Sequence, residues 1–183
     1  ILASNSPRRK ELLAGVGISF EVMTIPGIDE SFPDTLKGGD IPLFLARKKS
    51  DAYQDILRDN VLVITADTIV WQDGKVLGKP KDRREAVEMI AELSGRSHTV
   101  YTGVCVRSAT KEEAFYTESK VFFDELTADE IEYYVDNFKP YDKAGAYGIQ
   151  EWIGYIAVKK IEGSYFNIMG LPIQRLYQVL KQF

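Results

Sequence analysis

Histidine and cysteine are nearly missing from this sequence: His98 and Cys105 are the single examples of each. One cysteine cannot close an internal disulfide. In the apolar run Val104-Cys105-Val106 it reads as a small core residue rather than a nucleophile. One histidine leaves a Ser-His-Asp triad or a histidine-rich zinc site resting on Ser97-His98-Thr99 alone, so His98 is read as structural or as a surface residue. No G-x-x-x-x-G-K-[ST] loop is present, which excludes a P-loop ATPase, and no G-x-G-x-x-G follows a strand. No stretch approaches ~18 uninterrupted apolar residues, so no membrane span is expected. The opening Ile1-Leu2-Ala3 runs at once into Arg8, Arg9 and Lys10, which is not a secretory pattern, and a cytoplasmic location is the expectation. The chain opens on Ile1 rather than Met, so a few residues are expected to precede it. An excess of positive charge is also lacking. Lys and Arg number 23 against 27 Asp and Glu, a net charge of −4, which argues against a broad electrostatic hold on nucleic acid. Any anion must meet a local cluster of cations.

What is present is the balance of an ordinary globular protein: 183 residues, 45% apolar and 27% charged. Such a length can bury a full core without disulfides, as one domain over residues 1–183 or as two tightly joined lobes. Ile1 to Ala3 reads as the end of a short strand. Ser4-Asn5-Ser6-Pro7 then turns into a helix with Ser6 as N-cap and Pro7 at the first helical position. Phe20 to Ile25 reads as a second strand and Gly27 to Gly39 as a loop. Asp40 is expected to cap a helix reaching roughly Leu57. The run Val61 to Ile64 suits a strand covered on both faces.

Asp73-Gly74, between Thr68–Trp71 and Lys75–Leu77, is a two-residue hairpin signal. Asp82 with Glu85 caps a helix to Leu93, closed by Gly95. Strands follow over about 98–107 and 114–124. Thr127 with Glu130 matches a capping box ahead of the stripe Ile131, Tyr134, Val135 and Phe138. Tyr155 to Ile161 is expected as a strand and Pro172 to Leu180 as the last helix. The mixture gives an α/β (mixed α+β) protein with a mixed sheet, without repeats or linkers.

Three short segments depart from polar loop filler. Ser4-Asn5-Ser6-Pro7-Arg8-Arg9 joins a strand end to a helix N-terminus, where free N–H groups and the helix dipole favour an anion; Arg8 and Arg9 add fork-shaped donors suited to phosphate. The alternative is a capped surface helix with solvated arginines. Thr65-Ala66-Asp67-Thr68 places an acid directly after the buried strand, the rim where open α/β sheets bind ligands. A turn-forming aspartate is the bland alternative. Gly78-Lys79-Pro80 offers a phosphate ligand or merely a lysine on a turn. Arg47, Lys48 and Lys49 read more readily as a solvated helix face than as a binding patch. Asp29-Glu30 adds loop carboxylates of the kind that hard cations use together with phosphates. Arg, Lys and carboxylates at loop and strand ends form the inventory for phosphate chemistry assisted by magnesium or manganese.

Taken in order, Leu2-Ala3-Ser4-Asn5-Ser6-Pro7-Arg8-Arg9, Ala66-Asp67-Thr68-Ile69-Val70, Gly78-Lys79-Pro80, Leu93-Ser94-Gly95, Thr102-Gly103-Val104, Asp142-Lys143-Ala144-Gly145-Ala146-Tyr147-Gly148-Ile149-Gln150 and Gly170-Leu171-Pro172 closely resemble the Maf family of nucleoside triphosphate pyrophosphatases. The likeness covers essentially the whole chain. It implies a fold like that of inosine triphosphate pyrophosphatases, an elongated mixed sheet with flanking helices and a cleft between two lobes. It also implies hydrolysis between the α and β phosphates and dependence on a divalent cation, Mg²⁺ or Mn²⁺. By the same resemblance Asp67 is the expected catalytic base. Ser6, Arg8, Lys49 and Lys79 are expected around the phosphates, and Glu30 beside Asp67 on the metal side.

Arg8, Thr68 and Gln150 resemble the branch that acts on dTTP and UTP; the branch acting on 7-methyl-GTP carries Trp, Gln and Glu at the matching places. The amide of Gln150 can both donate and accept, as the carbonyl–NH–carbonyl edge of uracil or thymine requires. Lys143 and Tyr147 could face the cleft or form a tight turn with a packed tyrosine. The competing reading of the whole is a regulator of cell division that binds nucleotides or a protein without useful turnover, with an RNA-binding module weaker still. A homodimer is a further expectation of the resemblance.

Overall fold

The computed structural model describes residues 1–183. The chain divides into two compact units. The first comprises Ile1–Thr68, Tyr101–Thr117 and Phe166–Phe183, and the second Ile69–Val100 and Glu118–Tyr165. The helices are α1 (Pro7–Gly15), α2 (Asp40–Asp51), α3 (Arg83–Leu93), α4 (Ala128–Phe138), α5 (Trp152–Ala157), α6 (Tyr165–Met169) and α7 (Ile173–Leu180). The strands are β1 (Val63–Gln72), β2 (Lys75–Leu77), β3 (Ser97–Arg107), β4 (Glu112–Phe123) and β5 (Val158–Gly163), hydrogen-bonded in the order β2-β1-β3-β4-β5. No helix is long and apolar enough to cross a membrane.

Local signals place most of these elements. Ser6 accepts from the Arg9 N–H and caps α1, with Pro7 in the first turn. Asp73 and Gly74 both take positive φ, 50° and 79°, the backbone of a type I′ turn, and Val70 pairs with Leu77 across the resulting antiparallel hairpin. Asp82 accepts from the Glu85 N–H at the start of α3. Thr127 and Glu130 complete a reciprocal capping box on α4.

Other boundaries differ from expectation for physical reasons. The segments around Leu2 and Val22 make only isolated parallel bridges, Leu2 to Val22 and Leu2 to Ile64, so neither grows into a strand. Helix α2 starts without a side-chain cap, with Gly39 rather than Asp40 at the cap position, and stops at Asp51 before a 3₁₀ turn over Gln54–Ile56. The segment expected as a strand from Tyr155 is helical through Ala157 and becomes β5 only at Val158. Its helical turn leaves Tyr155 84% exposed, so the segment is part helix and part strand.

In the first unit Leu2, Leu13, Ile41, Ala46, Val63, Val104, Cys105 and Leu176 are buried, which settles Cys105 as a core residue. In the second, α3 packs on α4, and Ile90, Leu93, Val121, Phe123, Tyr134 and Ile153 are buried. One glycine governs how close a helix comes to the sheet. At Gly103 on β3, an added methyl would overlap the Pro42 carbonyl and the Leu43 nitrogen of α2. The α2 backbone therefore lies directly against β3. Backbone atoms cannot yield as a flexible side chain can, so Gly103→Ala is expected to destabilise the protein by about 1–3 kcal/mol. Chemical denaturation checks this; an unchanged midpoint and slope would refute the close contact.

Candidate active site

Asp67 lies inside β1, not beyond its end as the sequence suggested. The apolar run at residues 61–64 continues into β-branched and aromatic residues as far as the hairpin, so the strand has no reason to stop at the acid. An acid held within a strand needs a partner, and here it is Lys49 from the last turn of α2. The Lys49 Nζ donates to Asp67 Oδ1 at 2.6 Å and lies 2.8 Å from Glu30 Oε1. The Asp67 side chain is 13% exposed and that of Lys49 17%, whereas Glu30 is 55% exposed. The ammonium thus bridges a sheltered carboxylate and an open one.

The triplet Arg47-Lys48-Lys49 does not act as one face. Arg47 pairs with Glu112 at 3.3 Å, Lys48 pairs with Asp29 at 2.8 Å, and Lys49 alone turns to Asp67. The Asp29–Glu30 pair splits in the same way. Lys48, together with the Ser31 hydroxyl and N–H, holds the Asp29 carboxyl far below the usual carboxylate range. Glu30 pairs with Lys49.

The first helix brings Ser6 and Arg8 to the same unit. The Ser4 hydroxyl accepts from the Ser6 N–H, and the Ser6 hydroxyl from the Arg9 N–H. Arg8 Nε donates to the Met169 carbonyl. Arg9 corrects the expectation of a second phosphate fork, because its donors serve the fold. Nε binds the Gly170 carbonyl at 2.8 Å, Nη1 the Ala66 carbonyl at 2.8 Å, and Nη2 the Thr68 hydroxyl at 3.1 Å. Burial lowers the Arg9 pKa, and the nearby Asp67 charge opposes that shift. The Thr68 hydroxyl lies 2.9 Å from that of Thr102, which donates to the Asn167 carbonyl, so the expected specificity position is tied into a chain of hydrogen bonds. Gly170, at φ 119°, passes beside this chain, where a methyl would stand 3.6 Å from the Thr68 hydroxyl and 3.7 Å from Arg9 Nε.

Lys79 and Gln150 belong to the second unit. Lys79 is exposed on the turn after β2, and the neighbouring Gly78 carbonyl accepts from the Gly145 N–H at 3.0 Å. That bond ties the Gly78-Lys79-Pro80 turn to the segment carrying Gln150. Around the segment, the buried Lys143 Nζ sits 2.9 Å from Asp142 Oδ1 and 3.0 Å from Glu151 Oε1. The Tyr134 hydroxyl donates to Glu151 and accepts from the Gly148 N–H. Lys143 is therefore ion-paired and Tyr147 packed, the tight-turn alternative. Gln150 is half-buried, and its side-chain oxygen is enclosed without a hydrogen-bond partner. A polar atom so placed costs free energy until something donates to it.

Residues that motif reasoning passed over include Tyr134 and Glu151, which clamp the two ends of the Gly148–Glu151 segment. The capping-box stripe marked Tyr134 as apolar core, and nothing in the spacing announced its hydroxyl.

No three His, Cys, Asp or Glu residues gather into a preformed metal cage. Asp67 and Glu30 supply hard oxygen donors, both within ion-pair distance of the Lys49 ammonium. Such a pair fits a divalent ion whose remaining ligands are phosphate oxygens and water.

Comparison with known proteins decides the family: the model for "Maf-like protein" matches residues 1–183. The chain belongs to the Maf family. Maf relatives named dTTP/UTP pyrophosphatase include one from Bacteroides thetaiotaomicron, 59% identical over 182 residues, covering 100% of this chain and 94% of the relative. One from Parabacteroides distasonis is 55% identical over 183 residues, covering 100% and 95%. Another, from Christiangramia forsetii, is 50% identical over 182 residues, covering 100% and 92%. The mixed α/β architecture agrees with that membership.

His98 is buried, packed edge-on against Phe123 and Tyr147, with its Nε2 and the Tyr147 hydroxyl 2.6 Å apart. Burial lowers its pKa from 6.5 to about 4. The unfolded chain takes up this proton near pH 6.5 and the folded Maf protein only near pH 4. His98 therefore favours the unfolded state increasingly as pH falls through that window, by roughly 3 kcal/mol at its lower end. Denaturant unfolding of wild type and His98→Gln should diverge across it, since carboxylate effects are common to both. An imidazole NMR titration near 6.5 would refute the argument, and the single histidine makes the assignment unambiguous.

Proposed function

We propose that this chain is a nucleoside triphosphate pyrophosphatase that hydrolyses dTTP and UTP to the monophosphate and pyrophosphate. Modified pyrimidine nucleotides with the same base edge fall within the same reading. The observation that carries the proposal is the Lys49 ammonium set between Asp67 and Glu30, in a chain whose full-length relatives are named dTTP/UTP pyrophosphatases. Those names favour turnover over a regulator of cell division that only binds.

Water attacks the α-phosphorus in line, opposite the leaving pyrophosphate. Asp67 acts at that water, accepting its proton or orienting it, and is also one of the carboxylates that would hold a cation. The N-terminus of α1, capped by Ser6, and the guanidinium of Arg8 offer donors to phosphate oxygens. Lys49 orients the Asp67 carboxylate and neutralises charge that grows on the phosphates. Lys79, an exposed ammonium on its own turn, takes the phosphate-neutralising role that the resemblance implies. A divalent cation, Mg²⁺ or Mn²⁺, held by Asp67 and Glu30 when bound with the triphosphate, would supply Lewis-acid polarisation of the phosphate oxygens. The unpartnered side-chain oxygen of Gln150 suits the ring N–H of uracil or thymine, and the amide N–H₂ suits a carbonyl beside it. Thr68 supports specificity from within its hydrogen-bond chain.

Two measurements test this. Purified protein given dTTP, UTP, GTP and 7-methyl-GTP with Mg²⁺ or Mn²⁺ should release pyrophosphate from dTTP and UTP at least about tenfold more efficiently than from the others. Calorimetric binding without product would support the regulator instead. Asp67→Asn should lower kcat by ~10²–10⁴-fold, the usual contribution of a general base, while nucleotide still binds. Near-normal turnover with unchanged metal affinity would remove Asp67 from the chemistry.

A further inference from the structure

The position of Lys49 depends on where α2 lies along β1, and one buried side chain joins the two. The Thr65 hydroxyl donates to the Ala46 carbonyl of α2 at 2.7 Å, with the Cys105 carbonyl of β3 at 3.5 Å. Thr65 and Ala46 are both fully buried. Thr65 precedes Asp67 by two residues on β1, so strand alternation puts both on one face. Ala46 precedes Lys49 by three residues on α2, about one helical turn. The same helix rests its backbone on β3 at Gly103, where no side chain intervenes. The glycine sets the height of α2 above the sheet, and buried Ile41, Leu45 and Ala46 pack its inner face. To that packing the Thr65 bond adds a directional tie between α2 and β1.

We propose that Thr65 is a positioning residue that holds α2 in register on β1, so that the Lys49 ammonium meets the Asp67 carboxylate. It acts through Lys49 and touches no substrate. Valine in its place keeps the branched shape and loses the hydroxyl. The α2 carbonyl is then tethered only by its own helix, and Lys49 shifts relative to Asp67. Serine restores the donor. The kinetic part of this inference rests on the pyrophosphatase reading, and the geometric part does not.

The test compares Thr65→Val and Thr65→Ser, each with native Lys49 and in a Lys49→Met background, using dTTP turnover, thermal melts and crystal structures. Thr65→Val should lower kcat about five- to tenfold, the rate equivalent of one neutral hydrogen bond. Thr65→Ser should recover most of that loss. In the Lys49→Met background the two variants should turn over alike, because the residue through which Thr65 acts is gone. In the Thr65→Val crystal structure the Lys49–Asp67 separation should exceed the ion-pair range, and in Thr65→Ser it should not. An equal loss in both Lys49 backgrounds would mark general destabilisation and overturn the proposal, as would an unmoved Lys49 in Thr65→Val. If the wild type releases no pyrophosphate, the functional reading fails, while the crystal structures still decide the positioning claim. Should Thr65→Val not fold, Thr65→Ala serves the same comparisons.

Discussion

A lysine ammonium held between two carboxylates organises the first unit. Lys49 meets Asp67 at 2.6 Å and Glu30 at 2.8 Å, with Asp67 and Lys49 mostly sheltered from water. Sheltered charges are costly to desolvate, and a pair formed from them contributes little net stability. Its value lies in geometry. The strand must deliver an acid, the helix must deliver an amine, and the loop before α2 must deliver a second acid to the same few ångströms. Much of the surrounding structure serves those three deliveries.

Several features that look independent along the chain answer to that requirement. Gly103 lets α2 lie on β3. Thr65 ties α2 to β1. Arg9, with donors to Ala66, Thr68 and Gly170, fastens the first helix to the strand that carries Asp67. The guanidinium reaches the three acceptors from three nitrogens spread over a rigid plane, whereas lysine would gather its three donors on one atom. Two adjacent arginines of one motif therefore take different roles. Arg9 is a structural clamp, whereas Arg8 uses Nε on the Met169 carbonyl, just before the Gly170-Leu171-Pro172 segment.

The second unit uses hydroxyls and ion pairs in place of metal or disulfide to hold a glycine-rich segment. Tyr134 grips Gly148 and Glu151, Lys143 is neutralised on both sides, and Tyr147 packs against His98 and Phe123. Within that framework the side-chain oxygen of Gln150 is enclosed without a hydrogen-bond partner, as is Nδ1 of His98.

The sequence alone determined what is encoded locally. The Ser6 cap, the Asp73-Gly74 turn and the Thr127–Glu130 box follow from neighbours within a few residues, and the structure has each of them. Seven short motifs in order also carried the resemblance to the Maf family, and the family match over residues 1–183 agrees with it. Only the tertiary structure decided which charged residues do what. Arg8 and Arg9, or Lys48 and Lys49, are indistinguishable as letters, and their roles are set by partners tens of residues away. The same holds for Asp67, whose strand runs on past it, and for Thr65, whose hydroxyl matters only because a helix carbonyl lies within hydrogen-bond reach. Long-range contacts depend on chain geometry summed over many residues, and no window of sequence contains that sum.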